Sequence, residues 1–298
     1  MEDNGSSKYV IVAENLVKIY KTKDIEVIAL QGLDIQIERG EVMAIIGNSG
    51  SGKSTFLNIV GGLSRPTAGK LTVDGRDLFK MREKDLVSYK VSTVGFVWQN
   101  NARNLIPYLT ALDNVMMPMQ FNRENPVRHK KRRALELLEL TGIRKRARHK
   151  LSQLSGGEQQ RVAIALSLAN NPSVLLADEP TGSVDTKTTE IILEMFRTVN
   201  RELGTTVVIV THDREISKRV ERVVAIRDGK TSSEFITSYS DKYASIEGFE
   251  KGAAIEFAVF DRAGRVQIPR DLLDKMGLDG NRVKVTIDED RRIILTAP

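Results

Sequence analysis

Two short strings carry the residue types needed to handle a polyphosphate. Gly47-Asn48-Ser49-Gly50-Ser51-Gly52-Lys53-Ser54 fits the spacing G-x-x-x-x-G-K-[ST]. Glycines let such a loop turn successive backbone N–H groups onto phosphate oxygens, and a helix beginning at its end adds the positive end of its dipole. In that arrangement Lys53 reaches the β- and γ-phosphates, the Ser54 hydroxyl binds Mg²⁺, and Thr55 leads into the helix. The second string, Val174-Leu175-Leu176-Ala177-Asp178-Glu179, ends an apolar run in two adjacent carboxylates. Side chains alternate along a strand, so the pair cannot share one task. Asp178 suits holding Mg²⁺, directly or through water. Glu179 suits polarising a water near the γ-phosphate as a general base. An acidic pair at a strand end is often only a turn or a helix cap. The phosphate loop upstream turns this one toward binding a polyphosphate with Mg²⁺ and hydrolysing it at the γ-phosphate.

Such residues need strands to aim them. Residues 42–46 form an apolar run directly before the loop, and residues 55–60 read as a helix directly after it. The runs 174–177 and 206–210 match the first in character, as buried parallel strands do. Residues 9–14 and 33–38 alternate like half-exposed strands, while helical periodicity governs about 129–141, 158–169 and 186–203. Strands alternating with helices predict an α/β phosphate-loop core over 8–230, with an inserted helical subdomain at about 100–170. After Asp228-Gly229 the texture changes. Residues 231–253 are rich in Ser, Thr, Tyr, Lys and Glu and read as a linker or docking arm. Residues 254–298 read as a small β-rich unit: a strand, a Gly-Arg turn, Ile-Pro, a short helix to Met276, and two strands through Leu295.

The chain has 298 residues, which suggests about two domains. No stretch approaches the roughly 20 apolar residues of a membrane-spanning helix, and Met1 to Lys8 does not read as a signal peptide. There is no cysteine, so disulfides and thiolate metal sites are excluded. These features predict a cytoplasmic protein. The net charge of +6 is unevenly placed: residues 128–150 hold ten Lys or Arg against Glu136 and Glu139, which is 10 − 2 = +8. That segment reads either as a solvated helical face or as a contact with the anionic inner leaflet, where each basic residue near the surface contributes about 1 kcal/mol.

Leu154-Ser155-Gly156-Gly157-Glu158-Gln159-Gln160 resembles the signature motif of ABC ATPases, and it lies 20 residues before the apolar acidic strand. A Ser-Gly-Gly opening a helix is another anion site, built from free N–H groups and the helix dipole. The resemblance implies that Ser155, Gly156, Gly157 and Glu158 meet the γ-phosphate of ATP held by an opposite subunit, so that two ATPs are sandwiched in a head-to-tail dimer. It further implies that Gln99 contacts Mg²⁺ and senses a membrane partner, and that Asp185 belongs to the loop at the dimer contact. His212 would contact the γ-phosphate, and Tyr20 would stack on adenine. The resemblance covers about 8–229. Asn104-Leu105-Ile106-Pro107 and Leu109 to Val115, with Leu-Ala-Asp-Glu-Pro-Thr-Gly, resemble the lipoprotein-release and macrolide-export (MacB/LolD-like) branch. This branch implies a separate membrane permease as partner and a location on the inner face of the cell membrane. Val184 stands where that branch commonly has Ala or Leu.

Phe260-Asp261-Arg262-Ala263-Gly264-Arg265-Val266-Gln267-Ile268-Pro269, followed by a helix, resembles the swapped-hairpin domain of AbrB/SpoVT-type proteins. The resemblance implies that two chains interleave there, and in the regulators of that family the unit binds DNA. Over 250–298 nine basic residues face nine acidic ones. A neutral unit supplies little of the phosphate neutralisation that dominates DNA affinity, so dimerisation or docking is expected instead. Two alternatives stand beside the transporter subunit: a soluble ABC ATPase of translation or repair, and an ATPase-linked DNA-binding regulator. Translation-type members carry two cassettes, and here there is one phosphate loop. Repair types insert long coiled coils between loop and signature, whereas here about 100 residues separate them.

Overall fold

The computed structural model describes residues 7–21, 25–99, 104–121, 127–182, 186–213, 216, 219–237, 254–260, 264–266, 268, 270–276, 283–288 and 292–296. The alternating segments at 9–14 and 33–38 are the ends of two longer strands. β1 (Tyr9–Lys21) and β2 (Glu26–Glu38) form an antiparallel pair. The strand β3 (Val42–Ile46) leads into α1 (Lys53–Val60). β4 (Ala68–Val73) and β5 (Arg76–Asp77) then complete an antiparallel sheet in the order β2-β1-β4-β5. Next come α2 (Glu83–Ser92), β6 (Val94–Val97), α3 (Ala111–Met116), α4 (Val127–Leu140), α5 (Gly156–Ser167) and β7 (Val174–Asp178). The remaining core elements are α6 (Thr186–Leu203), β8 (Thr206–Thr211) and β9 (Arg222–Arg227).

The strands β9, β3, β8, β7 and β6 lie side by side in parallel. Val174 to Ala177 and Thr206 to Thr211 are buried. Burial on both faces is why these strands read as continuous apolar runs rather than alternating ones. Helix α1 lies between the two sheets: Phe56, Leu57, Ile59 and Val60 share one core with Ile11, Leu16, Leu33, Ile45 and Val208. On the other face α6, through Ile192, Phe196 and Val199, shares a second core with α4 and α5, through Ala134, Leu137, Val162 and Ile164. Helices α3, α4 and α5 pack on one another, and α5 also reaches β6. The stretch between β6 and β7 therefore holds helices and no strand among its described residues.

The linker expected at 231–253 is corrected in its first part. β10 (Lys230–Thr237) forms a hairpin with β9, and β11 (Ala254–Ala258) pairs with β10, so the main sheet runs β11-β10-β9-β3-β8-β7-β6. Asp228 and Gly229 make the two-residue turn, with φ 50° and 70°, the positive pair that a type I′ turn requires. Residues 231–237 show no apolar period because their polar side chains bond to the neighbouring strand β9 and to β2 of the other sheet. The Thr231 hydroxyl donates to Asp34 O at 2.6 Å, the Ser232 hydroxyl donates to Ala225 O at 3.2 Å, and Glu234 accepts from Arg222. The first strand expected of the C-terminal unit thus lies at the edge of the main sheet. Residues 238–253 lie outside the described residues. Beyond them stand α7 (Arg270–Lys275) and a separate antiparallel pair, β12 (Lys284–Ile287) with β13 (Ile293–Thr296).

Candidate active site

Register brings the chemistry to one edge. Ile46 of β3 is level with Thr211 of β8, Asp178 of β7 with Val210, and Val97 of β6 with Ala177. The loops leaving the carboxyl ends of β3, β6, β7 and β8 therefore share one rim, the place where open parallel sheets hold ligands.

The phosphate loop occupies the centre of that rim. Gly47 has φ 156°, and a Cβ there would lie 2.2 Å from Ile226 O; at Gly52, φ 104°, it would lie 2.5 Å from Ala29 O. Gly50, φ 80°, faces open space at the exposed tip beside Asn48 and Ser49. The buried Lys53 ammonium donates to Gly47 O at 2.6 Å and to Asn48 O at 2.9 Å. Burial pulls that ammonium below the usual lysine range, while the Glu179 and Asp178 carboxylates draw it back up. Among the described residues no side chain caps the start of α1, and the buried Ser51 hydroxyl has no partner. Uncapped amides, an orphaned hydroxyl and a lysine together fit a bound polyphosphate. Thr55 is the third residue of α1.

The acidic pair divides as its alternation predicts. Ser54 Oγ donates to Asp178 Oδ1 at 3.1 Å, which joins two hard oxygen ligands suited to Mg²⁺. Glu179 turns the other way. Its Oε2 accepts from Thr211 Oγ1 at 3.2 Å and its Oε1 from His212 Nδ1 at 2.7 Å. The Gln99 amide stands at the same corner, with its Nε2 3.3 Å from where a Cβ on Gly182 would sit. Asn104 secures the backbone before it, accepting from Trp98 N at 3.0 Å and donating to Phe96 O at 2.8 Å. Glu179, His212, Asp178, Ser54 and Lys53 are thus brought together, with Gln99 at the margin.

Tyr20 lies 40% exposed near the end of β1, with Lys18 Nζ 4.6 Å from its ring centroid. Tyr20 lies opposite Val27, two residues before Ala29, whose carbonyl abuts Gly52 of the phosphate loop. The signature residues are built differently. Ser155 caps α5: Glu158 N donates to its hydroxyl at 3.2 Å, while Ser155 N donates to Glu158 Oε2 at 2.9 Å. That backbone donor first, and Arg146 second, hold the Glu158 carboxyl below its ordinary range. Ser155 and Gly156 are exposed, and α5 packs on α3, α4 and β6. Asp185 lies outside the described residues.

Two supporting residues escaped the sequence reading. Thr211 follows the apolar run 206–210 directly and stands directly before His212. Gly229 was visible in the Asp-Gly turn: its N donates to Ser51 O at 3.0 Å and its O accepts from Gln31 N at 2.9 Å, which braces the loop.

A family model described as ABC transporter matches residues 30–182. An uncharacterized ABC transporter ATP-binding protein of Thermotoga maritima is 48% identical over 223 residues, 75% of this chain and 94% of that protein. The lipoprotein-releasing system ATP-binding protein LolD 1 of Rhodopseudomonas palustris is 43% identical over 206 residues, 69% of this chain and 90% of that protein. Among solved structures, the ATP-binding cassette MJ0796, dimeric in a post-hydrolysis state with ADP and Pi, has a TM-score of 0.69 at 41% identity. The match covers 75% of this chain and 97% of that one.

Proposed function

The chain belongs to the ABC transporter ATP-binding family, and from that premise we propose how its residues divide the hydrolysis of ATP. The chain is the ATP-binding, ATP-hydrolysing subunit of such a transporter. Its fold is the mixed-sheet α/β cassette. The observation that carries the mechanism is the Glu179 carboxylate held between Thr211 and His212, one residue from the Asp178–Ser54 pair. The loop amides of Gly47 to Thr55 and the Lys53 ammonium grip the β- and γ-phosphates. Ser54, Asp178 and Gln99 hold Mg²⁺, which when bound offsets the negative charge of the phosphates. Glu179 accepts a proton from the water that attacks the γ-phosphorus, while the bond to the ADP oxygen breaks and ADP leaves. Thr211 and His212 aim that carboxylate, and Tyr20 stacks on adenine.

The Ser155-Gly156-Gly157 start of α5, exposed at its first two residues, completes the site of a second copy, so each of two active sites is shared across a head-to-tail dimer. Support comes from the exposure of Ser155 and Gly156 and from the dimeric relative with ADP and Pi. A separate permease supplies the membrane path. The likeness to lipoprotein-releasing subunits supports the lipoprotein-release and macrolide-export branch, and a place on the inner face of the membrane. There the basic segment 128–150 faces anionic lipid. The C-terminal unit joins two copies through its exposed apolar side chains.

Mixing two inactive variants tests the shared site. Lys53→Ala weakens nucleotide binding, and Ser155→Arg blocks the signature while sparing binding to the monomer. In a mixed dimer one site carries both defects and the other carries neither. Steady-state phosphate release should therefore return to a fraction of wild type, and no recovery at any ratio would exclude the arrangement.

A further inference from the structure

Lys18 stands two residues before Tyr20 in β1, and its ammonium lies 4.6 Å from the centre of the Tyr20 ring. The same ammonium donates to Arg65 O at 2.8 Å, which fixes it from a second direction. The stretch Arg65-Pro66-Thr67 holds this part of β1 at two further points. Thr67 N donates to Val17 O at 2.8 Å, and Thr67 Oγ1 accepts from Ile19 N at 3.0 Å. Arg65 is itself secured, because its guanidinium donates to Met81 O at 3.0 Å and to Glu83 Oε1 at 2.7 Å. Three successive residues of β1 are therefore bonded to one three-residue stretch.

That mount has a place in the site. Helix α1 carries Lys53 and Ser54 in its first turn, and residues 65–67 follow its other end. One helix thus joins the anchor of the phosphates to the anchor of Lys18. A lysine on a surface strand ordinarily ranges over many rotamers, and holding it in one costs entropy. Here the hydrogen bond to Arg65 O and the ring set it in one place. A cation against an aromatic face is attracted by the ring quadrupole, so the ring is oriented by the cation as much as the cation by the ring. The Tyr20 ring is 40% exposed, so a flat partner can still reach it.

We propose that Lys18 is a positioning residue for the nucleobase: bonded to Arg65 O, its ammonium holds the Tyr20 ring from one face so that the other face takes adenine. The proposal rests on the stacking of adenine on Tyr20 and adds the group that sets the ring in advance. A ring held ready loses less freedom when the base arrives, and that raises affinity. The ammonium also draws electron density toward its own side, which favours a stacked base on the opposite one. The Lys18 charge therefore acts through Tyr20 on the base and not on the phosphates, which belong to Lys53 and the loop amides.

Calorimetric titration of the full-length protein with Mg-ADP and with Mg-pyrophosphate separates the base from the phosphates. Lys18→Met keeps the apolar stem and removes the charge, so it should weaken Mg-ADP about two- to fivefold and leave Mg-pyrophosphate unchanged. Lys18→Arg returns a cation to the ring and should restore the affinity for ADP. Tyr20→Ala should weaken Mg-ADP about fivefold or more, again without moving pyrophosphate. In that background Lys18→Met should have no further effect, because the ring through which it acts is gone. Equal losses for the two ligands would put the Lys18 charge on the phosphates and overturn the proposal. Additive losses in the double variant, or a Lys18→Arg variant as weak as Lys18→Met, would overturn it too. The stacking beneath it fails in a different way: if Tyr20→Ala binds ADP as wild type does, adenine does not rest on Tyr20. If Tyr20→Ala weakens ADP and Lys18→Met does not, the stacking stands and the role of Lys18 falls.

Discussion

Glu179 sits at φ 47°, in the left-handed region that only a few non-glycine residues occupy. Such a backbone costs of order 1–3 kcal/mol and persists only where its surroundings enforce it. Here Glu179 N donates to Val210 O at 2.8 Å, and the side chain is held at both oxygens. The turn carries the chain off the end of β7 while swinging the carboxylate away from Asp178. Glu179→Gln keeps the size, the backbone and the hydrogen-bonding reach of the residue but removes its basicity. Under the proposed role, phosphate release should fall by about 10²- to 10⁴-fold while ATP binding by equilibrium titration is retained. Turnover within a few-fold of wild type would remove Glu179 from the base position.

At the scale of elements, the β9–β10 hairpin reaches both ends of the main sheet. Its turn braces the phosphate loop through Gly229, and its far end carries a half-hidden ionic cluster. Arg222 donates to Glu234, to Glu41 at 3.3 Å, and to Gln36 O at 2.9 Å, so one guanidinium ties β9 to β10, to β2 and to the start of β3. Burial pushes the Glu41 carboxyl above its ordinary value of 4.5, and Arg222 opposes the shift. Arg222→Met removes that opposition, so the folded-state pKa of Glu41 climbs further. A group raised in the folded state contributes stability below its unfolded pKa and loses it as pH rises through the folded value. The deficit of the variant should therefore be smaller at pH 5 than at pH 8. At pH 8, breaking the pair costs about 3–5 kcal/mol. Urea unfolding at the two pH values checks this; a deficit independent of pH would mean that Glu41 is not the group left exposed to the loss.

For the molecule as a whole, the open question is what β12 and β13 pack against. Val285, Ile287 and Ile293 are each 60% exposed or more. A two-stranded sheet by itself is marginal in water, so the proposed pairing of two C-terminal units gives these side chains somewhere to go. Paired units would also tether two cassettes at about millimolar effective concentration. Removal of residues 260–298 spares β11 and so leaves the edge of β10 covered. The shortened chain should be monomeric without nucleotide, and its activity per molecule should climb steeply with concentration. The full chain should be dimeric in sedimentation without ATP, with activity per molecule nearly independent of concentration. A monomeric full-length apo protein would remove the tether.

The chemistry was legible in the residues themselves. Gly47 to Ser54 and Asp178-Glu179 are local strings whose function depends on neighbours in sequence, and the apolar runs beside them mark buried strands whatever the order of the sheet. The Asp228-Gly229 turn was equally legible, yet β10 was masked because its serine, threonine and glutamate side chains serve cross-strand bonds rather than a core. Other features depended on long-range register. That Thr211 and His212 hold Glu179 and that Ser54 meets Asp178 follow from which strands lie side by side. Pairing partners of this kind are separated by up to 124 residues in sequence. No local pattern encodes them, because packing of the two cores decides which segments are neighbours.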